Sequence, residues 1–283
     1  MYKLTLKTEY GGLTFGMGEP YAISEIQGLS SPEADVNLTD IALADGQRFN
    51  SAKVKSRTMN IAFAINYDAE PNRLNAYNVL RVKKPVRVEY KSELRDVFIE
   101  GVVKNVNVTH FEMKQICTVT VVCPFPYFKD AQEIVNELSN VINAFHFPFA
   151  STEEPQLVFS YIQQQPNTTV INSGEVDMGL IIELYFKGAV ENPKIFNYAT
   201  ADFFGLDYNF QAGDIVTINT NQGEKSVKLL RNGVESNLFN YVMKNSKWLQ
   251  LEGKECVFVY EVGSGAMSSV EITFSHNDLY EGV

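Results

Sequence analysis

The sequence predicts a mainly β protein in two parts, and three observations carry that expectation. Short runs in which apolar and polar residues alternate with period two fill most of the 283 positions. The segment CPFPYF, Cys123–Phe128, interrupts them, because Pro124 and Pro126 each lack a ladder N–H and push the preceding residue away from helix. Charge divides at the same place. Residues 1–129 carry 16 Lys and Arg against 14 Asp and Glu, net +2, whereas residues 130–283 carry 8 against 20, net −12. We therefore expect a domain at 1–129, a helix and linker at 130–149, and a second domain at 150–283.

The first half opens on a strand, with Tyr2, Leu4 and Leu6 alternating against Lys3, Thr5 and Lys7. The strongest strand signal is 58–67, with Met59, Ile61, Phe63, Ile65 and Tyr67 on one face. A short helix follows, since Pro71 suits a first helical turn and Leu74, Tyr77 and Arg81 fall at helical spacing. Strands over 85–91, 97–108 and 113–123 complete this half. The basic stretch Arg81, Lys83, Lys84, Arg87, Lys91 and Arg95 interleaves with Val86, Val88 and Tyr90, the pattern of a strand with one charged, wet face.

Past the prolines, Ile134, Leu138, Val141, Ile142 and Phe145 fall at helical spacing, Asp130 stands where an N-cap belongs, and Glu133 completes a capping-box pattern. A helix over 130–145 is the expectation. Residues 156–275 then give about nine short strand-like runs, including GLIIELYF, DIVTINT, ECVFVYEV and SSVEITF, punctuated by TNQG and by the hairpin dipeptide Asn232-Gly233. Such spacing predicts a β-sandwich or jelly roll.

Composition and motifs exclude more than they assign. No signal-peptide pattern and no apolar run of ~18 residues is present, so neither export nor membrane spanning is expected. The acidic balance argues against specific nucleic-acid binding. Cys117 and Cys123 lie on one strand face roughly 20 Å apart, too far for a disulfide, and read as buried thiols. The sequence lacks HExxH, GxSxG, P-loop and dinucleotide signatures, which leaves His110, His146 and His276 without a catalytic frame. A carboxylate pair at Glu175 and Asp177 reads as solvated turn residues, and Asp202, Asp207 and Asp214 lack the dense spacing of a calcium loop. No catalytic residue, cofactor or metal is expected. Trp248 is the one candidate carbohydrate contact, as a stacking platform, with burial as the competing reading.

The ordered blocks PYAISEIQGLSSP, DGQRFNSAKVKSRTMNIAFAI, RLNAYNVL, CPFPYF, NSGEVDMG, ENPKIFN, LDYNFQAGDIVTINTNQGEKSVKLLRNG, SKWLQLEG and LYEGV span nearly the whole chain. Together they resemble the distal tail proteins of long-tailed bacteriophages, also described as siphovirus tail components. After LEG, Lys254 and Glu255 stand where the family often has an asparagine. The resemblance implies a β-sandwich-like N-terminal domain with a short helix that assembles as a hexameric ring, and a galectin-like C-terminal β-sandwich. It implies a non-enzymatic hub at the virion tail tip, assembled in the host bacterial cytoplasm from a phage or prophage. Implied partners are further copies of the chain, the tail tube and tape-measure proteins, and a tail-associated lysin, fibre or receptor-binding protein used in host adsorption. On this reading the ring interface falls on the alternating strand, Met59, Ile61, Phe63, Ile65 and Tyr67, because β-rich subunits close rings by pairing strand edges. Two other readings stay open: a module binding cell-surface carbohydrate through the C-terminal domain, and a cell-wall hydrolase.

Overall fold

The computed structural model describes residues 2–16, 18–42, 44–110, 112, 114–143, 160–164 and 167–283. The chain divides into two compact units: Met1–Gln132 with Leu279–Val283, and Glu133–Asp278. The division thus falls three residues beyond the expected 129, and the last five residues return to the first unit.

The first unit contains strands β1 (Lys3–Thr8), β2 (Gly11–Phe15), β3 (Tyr21–Gln27), β4 (Ala34–Asp40), β5 (Gln47–Val54) and β6 (Arg57–Ile65). Helix α1 (Ala69–Val79) follows, then β7 (Pro85–Lys91), β8 (Asp96–Val108), β9 (Ile116–Cys123) and β10 (Phe128–Asp130). The main sheet runs β10-β8-β7-β1-β2-β3-β6-β9, with the two-residue strand Leu279–Tyr280 outside β10. It also closes on itself. Residues 96–102 of β8 pair with β7, and residues 102–108 pair with β9, so seven strands form a barrel. Gly101 lies beside this changeover, where a Cβ would come within 2.6 Å of Val121 Cγ1 and 2.8 Å of the Val122 carbonyl oxygen. Only glycine fits so close an approach.

Alternation put the core where the sequence placed it. Leu4, Leu6, Met59, Ile61, Phe63, Val86, Val88, Cys117, Val119, Val121 and Cys123 all face inward and are buried. Burial pushes the Cys117 thiol up to about 12 and the Cys123 thiol up to about 11. The expected helix exists, but its inward contacts are Ala76 and Val79, while Leu74 and Tyr77 are exposed. The basic stretch lies along the outside of the barrel: the Arg81 guanidinium covers the Tyr10 ring at 3.8 Å, and that of Arg87 covers Phe98 at 3.5 Å.

The second unit is a sandwich. One sheet has six strands in the order Ile134–Glu137, Val270–His276, Ile181–Phe186, Ile215–Asn219, Ser226–Arg231 and Val234–Asn237. A four-stranded sheet contains Asn167–Ile171, Glu255–Glu261, Lys194–Asn197 and Phe203–Gly205. The buried rings of Phe258 and Phe274, one from each sheet, stack at 4.9 Å and join the two layers. Asn232 and Gly233 take φ of 51° and 78°, the positive values that the two-residue turn between the last two strands of the six-stranded sheet demands.

The helix expected over 130–145 is corrected. Ile134–Glu137 and Ser139–Asn143 are strands, and Ile134, Val135, Asn136 and Glu137 pair with His276, Ser275, Phe274 and Thr273. Asp130 does not cap a helix; its Oδ1 accepts the Gln132 N–H in a local turn. The β-branched residues that gave the helical spacing find a ladder partner in the neighbouring strand, and tertiary pairing overrides the local pattern. Residues 144–149, including Phe145 and His146, lie outside the described residues.

Candidate assembly interface

Four of the five residues expected at a ring interface are sealed inside the barrel. Met59, Ile61 and Phe63 have no exposed surface, and Ile65 is buried as well. Both edges of β6 are taken, by β3 on one side and β9 on the other, so the strand offers a neighbour no free ladder edge, and the apolar face expected at the interface points into the core. Tyr67, beyond the strand end, is exposed and donates its hydroxyl to the Gly18 carbonyl. The alternation that suggested an interface marks the core instead.

The free surface lies one hairpin upstream. Strands β4 and β5 pair only with each other and form a separate two-stranded sheet. Every residue of β4 is exposed, and every residue of β5 except the half-buried Val54. Ala34 faces Val54, Val36 faces Ala52, and then the register slips so that Leu38 faces Phe49 and Asn50 is left over. Cross-strand partners share a face. One face of the hairpin therefore carries Ala34, Val36, Leu38, Phe49, Ala52 and Val54, ending in the polar pair Asp40 and Gln47 beside the turn, and the other Asp35, Asn37, Thr39, Arg48, Ser51 and Lys53. Without the bulge Phe49 would fall on the polar side. Val36, Leu38 and Phe49 are 53, 44 and 61% exposed.

The root of this arm is held by Arg57, a charged residue only 4% exposed. Its Nε donates to the Pro126 carbonyl at 2.6 Å, its Nη1 to the Gly28 and Ser30 carbonyls at 2.6 Å each, and its Nη2 to the Glu281 carbonyl. The guanidinium also lies 4.7 Å from the Phe128 ring centroid. Burial holds its pKa below the usual arginine range. Gly28 has φ of +93°, and a Cβ there would sit 2.6 Å from the Thr58 carbonyl oxygen.

On the second unit Trp248 is half-buried, 5.0 Å from the buried Phe204 ring and 5.8 Å from the exposed Phe239 ring, with Lys225 Nζ 5.5 Å over its face. Three of the other sequence candidates, Asp177, Asp202 and Asp214, have structural partners. Asp177 accepts the Gly253 N–H, Asp202 pairs with Lys247, and Asp214, held below the usual carboxylate range by Arg231 against its own burial, accepts two bonds from that arginine. His276 is buried beside Asp278 at 3.5 Å, and burial lowers its pKa. Among the described residues no group of three His, Cys, Asp or Glu is placed to hold a metal. None of their helices is long and apolar enough to cross a membrane.

This barrel-plus-sandwich fold is shared with phage hub and baseplate proteins of known structure. The crystal structure of SPP1 Dit (gp 19.1), described as a paradigm of the hub adsorption apparatus in phages infecting Gram-positive bacteria, matches with a TM-score of 0.68. The match covers 97% of this chain and 98% of that one at 14% identity. Chains of the phage P2 baseplate in its activated conformation, with Ca and with Sr, match at TM-scores of 0.52 and 0.51. Their identities are 8 and 9%, and each match covers 98% of both chains. Residues 173–277 match the family model of the siphovirus-type tail component, C-terminal domain. The chain thus shares its fold with these phage proteins, and residues 173–277 carry the siphovirus-type tail component's C-terminal domain, in keeping with the resemblance of its ordered sequence blocks. No curated protein matches it.

Proposed function

We propose that this protein is the distal tail hub of a phage or phage-like tail, a non-enzymatic ring of six copies that joins the tail tube and tape-measure end to the adsorption apparatus. One observation carries the self-assembly part of that reading: an amphipathic hairpin whose apolar face is exposed among the described residues. A two-stranded hairpin alone is marginal in water and gains stability when a third surface covers its apolar side. The occupant is a second copy. A closed ring of identical subunits needs a heterologous contact, and the near-neutral N-terminal half does not oppose one, whereas the −12 half repels its own copies. The resemblance to phage distal tail proteins supports six as the number of copies.

The test is the double substitution Leu38→Asp with Phe49→Asp. Both residues are exposed, so the monomer keeps its melting behaviour, while light scattering at high micromolar concentration shows the wild-type assembly lost. An assembly that survives both charges would refute the arm as its interface.

A carbohydrate-binding role for the sandwich rests on Trp248 and Phe239, neighbouring rings of which Phe239 is open to solvent. Glycan-array binding that disappears in Trp248→Ala, with the fold retained, is the outcome that would establish it.

A further inference from the structure

Residues 279–283 behave as a peptide seated at the root of the arm. Leu279 and Tyr280 pair with Lys129 and Phe128, covering the outer edge of β10. Tyr280 lies under the Arg95 guanidinium at 3.8 Å and donates its hydroxyl to Asp130. Glu281 accepts Arg57, and Val283 donates its N–H to the Leu29 carbonyl at 3.1 Å. Gly282 runs so close that a Cβ would stand 3.3 Å from both the Leu29 carbonyl oxygen and the Ser31 nitrogen. Leu29, Tyr280 and Val283 all pack against the barrel core.

The arm has two roots, residues 28–33 leading into β4 and residues 55–57 leading out of β5. Arg57 and the 279–283 segment bind the first of them at Gly28, Leu29 and Ser30, and Arg57 is itself the end of the second. Beyond this point the main-chain tie between the roots is a single bond, Lys55 N–H to the Glu33 carbonyl at 3.3 Å, assisted by the exposed Lys55–Asp35 ion pair at 2.6 Å. Exposed ion pairs of that kind contribute little. The hairpin's own ladder fixes its shape but not its bearing on the barrel.

We propose that residues 279–283 and Arg57 form a socket that sets the bearing of the 34–54 arm. The chain segment that returns from the second unit thereby governs whether the arm is presented for assembly. This rests on reading the arm as the assembly element. The geometry also explains an otherwise costly arrangement: a buried guanidinium donates to four main-chain carbonyls that lie on three separate stretches of chain, at Gly28 and Ser30, at Pro126 and at Glu281.

The experiment measures arm bearing in the full chain, apart from assembly. Spin labels at Ser51→Cys on the arm and Lys104→Cys on the barrel, both exposed, leave the three buried native thiols unlabelled. At low micromolar concentration the parent chain gives one narrow distance distribution. Gly282→Val, which crowds the segment off Leu29 without touching Arg57, and a chain ending at Asp278 both broaden it, while amide exchange in β6 and β9 stays protected. A distribution that remains narrow in both variants overturns the socket. So does loss of β6 and β9 protection together with the broadening, since the segment would then be ordinary core. Ring formation is scored separately, so a free arm in a chain that still assembles condemns the socket alone, and a fixed arm in a chain that never assembles condemns the hub reading alone.

Discussion

Replacing Arg57 with methionine keeps most of the side-chain volume and removes every side-chain N–H that ties the junction together. Four carbonyls, of Gly28, Ser30, Pro126 and Glu281, lose a charged donor. At about 1 kcal/mol net for each bond the loss is about 4 kcal/mol, within the ~3–5 kcal/mol typical of breaking a buried charged network. Trp248, the sole tryptophan, lies in the second unit and reports its unfolding separately. In urea, circular dichroism should show one component weakened by about 3–5 kcal/mol while the Trp248 fluorescence transition holds its midpoint. A loss below ~1 kcal/mol, or an equal loss on both probes, would contradict the assignment of Arg57 to the first unit's junction.

Other expectations follow from the same geometry. Gly101→Ala drives a methyl against Val121 and the Val122 carbonyl and should cost roughly 1–3 kcal/mol by thermal melting, with no cost meaning that β8 does not cross so closely. The raised Cys117 and Cys123 pKa values mean that the folded state keeps protons the unfolded chain releases, so their contribution is full below pH 9 and is lost as pH rises toward about 11 to 12. Cys117→Ala should flatten that alkaline decline in urea midpoints, and an unchanged slope would exclude the thiol as its cause. His276 has the opposite sign. Its lowered pKa gives stability that is full above pH 6.5 and lost as pH falls, so His276→Gln should make Trp248-detected unfolding less acid-sensitive, and an unchanged acid profile would count against it. Trp248→Ala, half-buried, should cost about 2 kcal/mol, less than the ~3–5 kcal/mol of a fully buried indole, and a larger loss in chemical denaturation would show the ring to be core.

Period-two alternation reports burial directly and made five of the barrel's seven strands legible, β1 and β6 to β9, whereas β2, β3 and the closure of the sheet into a barrel, in place of the expected sandwich-like layers, emerged only with the fold. The 85–91 strand matches β7 at both ends, and the strand expected at 58–67 is β6 at Arg57–Ile65. The same signal does not say where in a sheet a strand lies, since an alternating strand in the middle of a sheet, as β6 is, and one at a free edge carry the same pattern. The arm was harder to see because the extra residue Asn50 breaks the alternation in QRFNSAKV, and only pairing with β4 shows that Phe49 returns to the apolar face. Helical spacing at 134–142 misled because Ile134 finds a ladder partner some 140 positions away, at His276. Arg57 gave no local signal at all. Its partners come from residues 28–30, 126 and 281, which only the fold assembles.

Negative-stain imaging of the full chain at high concentration, alone and mixed with phage tail-tube and tape-measure proteins, decides whether the proposed ring forms. Closed rings with six-fold symmetry that vanish with Leu38→Asp and Phe49→Asp are the expected result. A strict monomer in both conditions, or rings formed by residues 133–278 alone, would contradict it.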